Sequence, residues 1–259
     1  MAFADLNDLR IHYQLDGDAG KPVLMLSNSL GATLDMWAPQ LAALTQDFQV
    51  LRYDARGHGQ STITQGPYSI AQLGQDAVAL LDALGILQAH FAGVSMGGLT
   101  GQWIALNQPA RLKRLVLANT AAYIGPPENW TTRADKVKAD GIASIASAVV
   151  SRWITPDYAA ATPALAAKLL SMVEANNDQG YASACIAVRD ADFRAQLGKI
   201  TTPTLVIAGT HDIPTPPSDG KFLADHIPGA RYVELSGAHL TNLEAVDGFN
   251  QAVRDFLLS

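Results

Sequence analysis

Cysteine is almost absent from the 259-residue chain, with Cys185 standing alone. A single thiol excludes an internal disulfide and leaves export to an oxidising compartment unsupported. Basic residues are in the minority: 18 Lys and Arg face 24 Asp and Glu, a formal net charge of −6. That balance argues against nucleic acid as the main partner, because phosphate binding needs a basic face. It also offers no general attraction to an anion, so binding one would rest on a local cationic pocket. No apolar run approaches the ~18 residues of a membrane span, and no basic-then-apolar leader opens the chain. Repeats and low-complexity linkers are missing too. These absences lead to the expectation of a soluble cytoplasmic protein with no membrane role; a homo-oligomer is left open. What remains, 48% hydrophobic and 16% charged residues, is the composition of an ordinary globular protein long enough for a full core.

The spacing predicts short strands alternating with helices. Leu9–Leu15, Val23–Leu26, Phe48–Tyr53, His90–Val94 and Leu112–Ala118 read as strands. Between them, Ser69 and Gln72 have capping-box spacing. Leu73, Ala77, Leu80, Leu81 and Leu84 then form one apolar stripe that Gly85 ends. A second helix is expected from Met96 to Leu106. From about Tyr123 to Gly198 the alternation stops, and alanine-rich helical stretches follow Pro126-Pro127 with no convincing strand. It resumes with Thr204–Ala208, a helix near Pro217–His226, strand Arg231–Leu235 and a last helix from about Thr241. Such alternation implies a mostly parallel sheet flanked by helices, with right-handed crossovers. The expected organisation is a core of 1–122 and 199–259, with 123–198 inserted as a helical cap.

Phe91–Gly101 reads FAGVSMGGLTG, with Ser95 among four glycines. Glycine inside an element costs about 0.5–1 kcal/mol relative to alanine, so the cluster needs a geometric reason. One reading is a structural turn. The other is a G-x-S-x-G nucleophile elbow, with a strand before it and a helix after it as that motif requires. A serine nucleophile needs a base. Among six histidines, His239 follows a strand and precedes the last helix, where it can reach back over the sheet edge. The base needs an orienting acid, and Asp212 follows strand TLVIA at the same edge. An Asx turn before the prolines is the competing role for Asp212. The order Ser95, Asp212, His239 is that of α/β-hydrolases. The tetrahedral oxyanion needs donors: the Met96 amide, and Leu30 from the loop after VLML. In register with the usual His-Gly-x-Gly of this fold, Asn28 replaces the His and Ser29 the first Gly. Whether either side chain touches substrate stays open.

The chain resembles the 3-oxoadipate enol-lactonases over nearly its whole length. SNSLGATLDMW, RYDARGHGQS, GVSMGG, LVLANTAAYIG, RWITP, GYASACIAVRD, VIAGTHDIPTPP and AHLTNLE carry the likeness. RGHG and GVSMGG are widespread in the superfamily; SNSLG, LANTA and GYA…RD are narrower. The family's adjacent cysteines in the GYA segment are Ala184-Cys185 here. The resemblance implies an α/β-hydrolase fold and hydrolysis of a small anionic enol-lactone by Ser95, His239 and Asp212, without metal or cofactor. The substrate's acetate arm would need a cation, preferably a bidentate arginine. Arg133, one turn after Trp130, is the first candidate, with a solvated surface role as its alternative. Arg189 is the second, although Asp190 beside it suggests a structural pair. Trp153 either walls the pocket or anchors the insertion. Two rival functions keep the same residues: another small-molecule lactonase, carboxylesterase or perhydrolase, and a binding protein with slow chemistry.

Overall fold

A computed structural model describes residues 2–6 and 8–259. The first part of the chain builds β1 (Ala2–Leu6), β2 (Leu9–Asp16), β3 (Val23–Ser27), the one-turn helix α1 (Leu41–Leu44), β4 (Gln49–Tyr53), α2 (Ile70–Ala83), β5 (Ala89–Val94), α3 (Met96–Asn107) and β6 (Leu112–Ala118). Five helices follow: α4 (Pro127–Asp140), α5 (Ala143–Trp153), α6 (Pro156–Ala161), α7 (Pro163–Glu174) and α8 (Asp178–Arg189). The chain then returns to the sheet with β7 (Thr204–Gly209), α9 (Pro217–His226), β8 (Arg231–Leu235), α10 (Thr241–Glu244) and α11 (Val246–Leu258). No helix among the described residues is long and apolar enough to cross a membrane.

The eight strands lie in the order β1-β2-β4-β3-β5-β6-β7-β8. β2 pairs antiparallel with β1 and β4, and every other pairing is parallel. The apolar runs read from the sequence are the central strands, and all six residues of β5 and of β7 are buried. The order reverses between β3 and β5. Loops leaving the carboxyl ends of those two strands therefore emerge side by side, at the crevice where open α/β sheets bind ligands.

Two expectations need correction. β1 was not foreseen, because only Ala4 of its five residues is buried and an edge strand of that kind carries almost no apolar signal. The last helix is split: Ala245, at φ −115° and ψ 50°, separates α10 from α11. Ser69 caps α2 as its spacing predicts, its side chain accepting from the Gln72 amide at 3.1 Å.

The five helices between β6 and β7 share their apolar core with the sheet. Ala134, Val137, Leu169, Val173 and Tyr181 belong to the same buried cluster as Leu26, Phe91 and Leu117. Backbone contact joins the two parts as well, since a Cβ on Gly180 at the start of α8 would overlap the Gly57 carbonyl. Gly180→Ala should lower stability by about 1–3 kcal/mol, the range for overpacking a close contact. A urea midpoint equal to that of the wild type would show that the contact can relax.

Candidate active site

Ser95 occupies the bend between β5 and α3 with φ 57° and ψ −114°. The conformation is strained for a residue with a Cβ, so its surroundings must hold it. Its amide donates to Ala118 O at 3.1 Å, and its carbonyl accepts from Thr120 Oγ1 at 2.8 Å. The small neighbours are a steric necessity: a Cβ on Gly93 would overlap the Gly97 carbonyl, and one on Gly97 would overlap that of Ser27. The elbow expected from the motif is therefore the geometry found.

The loop after β3 lies against this bend. Gly97 N donates to Asn28 O at 3.1 Å, and Gly31 N donates to His58 Nε2 at 3.1 Å. Between them, the Leu30 and Met96 amides donate to no protein group among the described residues. Asn28 itself does not face the site, which corrects its candidacy for substrate contact. Both ends of its amide are spent, Nδ2 on Tyr53 O and Oδ1 on Trp37 Nε1, each at 2.9 Å.

His239 Nδ1 lies 3.0 Å from both carboxylate oxygens of Asp212. Asp212 also accepts from Thr215 N at 3.0 Å, Thr215 Oγ1 at 2.8 Å and Asn119 Nδ2 at 3.0 Å. The Asx-turn role and the histidine-orienting role thus coexist in one carboxylate. Asn119, at φ 45° just past β6, also accepts from Thr241 Oγ1. Burial pushes the Asp212 pKa up. The charge and hydrogen bond of His239, with the Thr215 amide and Asn119, outweigh it and hold the carboxyl below its ordinary value of 3.8.

Ser95, His239, Ser29 and Leu30 line a cavity of about 560 Å³ whose remaining wall comes from the helical interval and from Ile213 and Pro214 after β7. No hydrogen bond joins Ser95 Oγ to His239 among the described residues; such bonds are often long in unliganded enzymes and tighten with substrate. A larger open cavity of about 980 Å³ reaches Asp212 but neither of the candidate residues Ser95 and His239. Trp130, Arg133 and Trp153 all face the smaller cavity. Arg133 stacks over the Trp130 ring at 4.6 Å and has no ion-pair partner among the described residues. Trp153 serves in both of its expected ways, since it walls the cavity while its carbonyl accepts from Leu240 N at 2.8 Å.

Arg189 is the second correction. It lies outside this cavity, bound to Asp190 at 2.7 and 3.1 Å and to Thr131 at 3.3 Å, the structural pair that its acidic neighbour suggested. Sequence reading missed Tyr181, Lys136 and Arg152 in the cavity wall. The i, i+3 step from Arg133 to Lys136 on α4 was the available signal for the lysine. It also missed Asn119 and Thr215 behind Asp212. Thr215 stands three residues after Asp212, the spacing of a side-chain-closed turn.

The depressed pKa of Asp212 makes it a source of stability above its unfolded value of 3.8, lost as pH falls through the lower folded value. At neutral pH the urea midpoint of the wild type should exceed that of Asp212→Asn, and the gap should close below pH 3.8. A gap independent of pH would show that the folded state does not favour the carboxylate.

Residues 22–144 match the family model of the alpha/beta hydrolase fold. The protein named 3-oxoadipate enol-lactonase 2 of Acinetobacter baylyi is 44% identical over 95% of this chain and 92% of its own. The 3-oxoadipate enol-lactonase 1 of the same organism is 39% identical over the same shares. The crystal structure of the enol-lactonase from Burkholderia xenovorans LB400 superposes with a TM-score of 0.98 at 46% identity, covering 100% of both chains. With an eight-stranded, mostly parallel sheet, a strand–serine–helix elbow and relatives of this similarity along its length, the chain belongs to the 3-oxoadipate enol-lactonase family of α/β-hydrolases.

Proposed function

We propose that the protein hydrolyses 3-oxoadipate enol-lactone to 3-oxoadipate, a step of the β-ketoadipate route of aromatic breakdown, through an acyl-enzyme on Ser95. The observation that carries this reading is one cavity with Ser95 and His239 on its floor and in its wall an arginine, Arg133, with no ion-pair partner among the described residues. The floor suits attack on a carbonyl, and the arginine suits a carboxylate. The names of the most similar relatives supply the lactone.

In the first half-reaction Ser95 Oγ attacks the ring carbonyl while His239 Nε2 takes its proton. Asp212 holds the imidazole through Nδ1 and stabilises its charged form. The free amides of Leu30 and Met96 receive the oxyanion, and preorganised donors of this kind contribute several kcal/mol. Collapse opens the ring and expels an enolate oxygen, which His239 protonates. The resulting enol tautomerises to a ketone, so ring closure is disfavoured. In the second half-reaction His239 activates water against the acyl-enzyme and Ser95 is released. The helical interval 123–198 acts as the cap that encloses the substrate, with Arg133 holding the acetate arm and Trp130 stacked beneath it.

The test compares freshly generated enol-lactone with a neutral short-chain ester. The wild type should turn over the lactone with saturation, and Ser95→Ala should lose that activity by at least 10³-fold. Arg133→Gln should raise KM for the lactone by about 10- to 100-fold, the worth of a charged hydrogen bond, with KM for the ester changed less than about threefold. Turnover of the ester alone would replace the substrate class with that of an esterase. Stoichiometric binding without turnover would favour a binding protein.

A further inference from the structure

Tyr181 is fully buried on α8, yet its hydroxyl has no hydrogen-bond partner among the described residues. An unsatisfied buried hydroxyl is destabilising, so a tyrosine where phenylalanine would fill the same space needs a reason. The residue lines the cavity that holds Ser95 and His239. Its ring lies against the oxyanion loop, with Cε2 only 3.0 Å from where a Cβ on Gly31 would stand. Burial raises the phenol pKa and Cys185 adds to that rise. Arg133 on the facing helix α4 opposes them with its charge and with an approach of its guanidinium to the phenol oxygen that falls short of a full hydrogen bond, and the net shift is upward. The hydroxyl therefore keeps its hydrogen at neutral pH and remains a donor, and Arg133 lies within its electrostatic reach.

Two other cations share this wall. Lys136 is bound to Asp140 at 2.9 Å, and Arg152 lines the neighbouring larger cavity as well as this one. Among the described residues Arg133 has no carboxylate partner and the Tyr181 O–H has no acceptor: a planar guanidinium stacked on Trp130 lies beside a neutral O–H. A carboxylate has two oxygens, enough to take a guanidinium on one and a hydroxyl on the other.

We infer that Tyr181 is a specificity-determining residue whose hydroxyl donates to the substrate carboxylate beside Arg133. This inference rests on the proposed reading, in which an anionic lactone occupies the cavity. It gives the orphan hydroxyl its partner only when that ligand is bound. A neutral ester of the same size leaves the hydroxyl unsatisfied, so Tyr181 discriminates against it together with Arg133.

Tyr181→Phe removes one oxygen that makes no full hydrogen bond among the described residues of the free protein, which separates a ligand role from a structural one. KM and kcat are measured for the enol-lactone and the neutral ester. In parallel, calorimetry gives Kd for adipate, a stable dicarboxylate of the product's chain length. The expected result is a rise of about tenfold in lactone KM and adipate Kd, with kcat changed less than threefold and ester KM unchanged. The denaturation midpoint should stay level or rise. Unchanged lactone KM and adipate Kd would overturn the inference even where the wild type is a competent lactonase. If the wild type does not hydrolyse the lactone, the functional reading fails and the adipate comparison alone decides on Tyr181.

Discussion

One hydrogen bond, from Gly97 N to Asn28 O at 3.1 Å, ties together the loops that leave β3 and β5. It requires the first turn of α3 to rest on the end of β3, so close that no side chain fits at Gly97. With this contact made, the free amides of Leu30 and Met96 are fixed relative to Ser95. The rest of the loop is locked around it. The Asn28 side chain is held by Trp37 and Tyr53, and Gly31 N is held by His58. That last bond also determines a tautomer: Gly31 N–H can only donate, so His58 Nε2 is bare and its hydrogen sits on Nδ1, toward Arg56 O at 3.2 Å. Burial lowers the His58 pKa and keeps the ring in this accepting form.

His239 is held from two sides. The core grips its ring through Asp212. The helical interval grips its backbone: His239 N donates to Arg152 O at 3.4 Å and Leu240 N to Trp153 O at 2.8 Å. Glu244 extends the second grip. One of its oxygens accepts from Thr155 N and Oγ1 at 3.0 and 2.6 Å, and the other from Ala238 N at 2.5 Å. The end of α5 and the loop carrying His239 are therefore one bonded unit. A displacement of Trp153 in the cavity wall would move His239 as well, so the shape of the cavity and the placement of the imidazole are mechanically linked.

The parts of this arrangement that the sequence makes legible are those dictated by local rules. Buried parallel strands read as continuous apolar runs, and a serine among glycines between a strand and a helix reads as an elbow. Asp212 and His239 follow because each stands just past the end of a strand at the same sheet edge. Long-range choices do not show in this way. Asn28 looks like a polar residue in a binding loop, and only the fold reveals that Trp37 and Tyr53 consume it. Asp190 already sets Arg189 behind Arg133 in the sequence, and the fold adds that the two line different cavities. Tyr181 shows least of all, because a tyrosine in an apolar helix reads as core until its hydroxyl is found without a partner.

Charge shows the same contrast between whole and part. The chain as a whole is negative by 6 and would repel an approaching anion, but exposed charges are screened beyond about 8 Å at physiological salt. Inside the cavity the local cations decide, and Arg133, stacked on Trp130 and free of carboxylate partners among the described residues, acts at short range where screening is weak. Stacking also orders the guanidinium before a ligand arrives, which lowers the entropy cost of binding. On the proposed reading hydrolysis converts a lactone with one carboxylate into a dicarboxylate whose second charge arises beside Ser95. Arg133 meets the acetate arm in both, so the local cation acts on capture of the substrate and adds nothing for the new carboxylate.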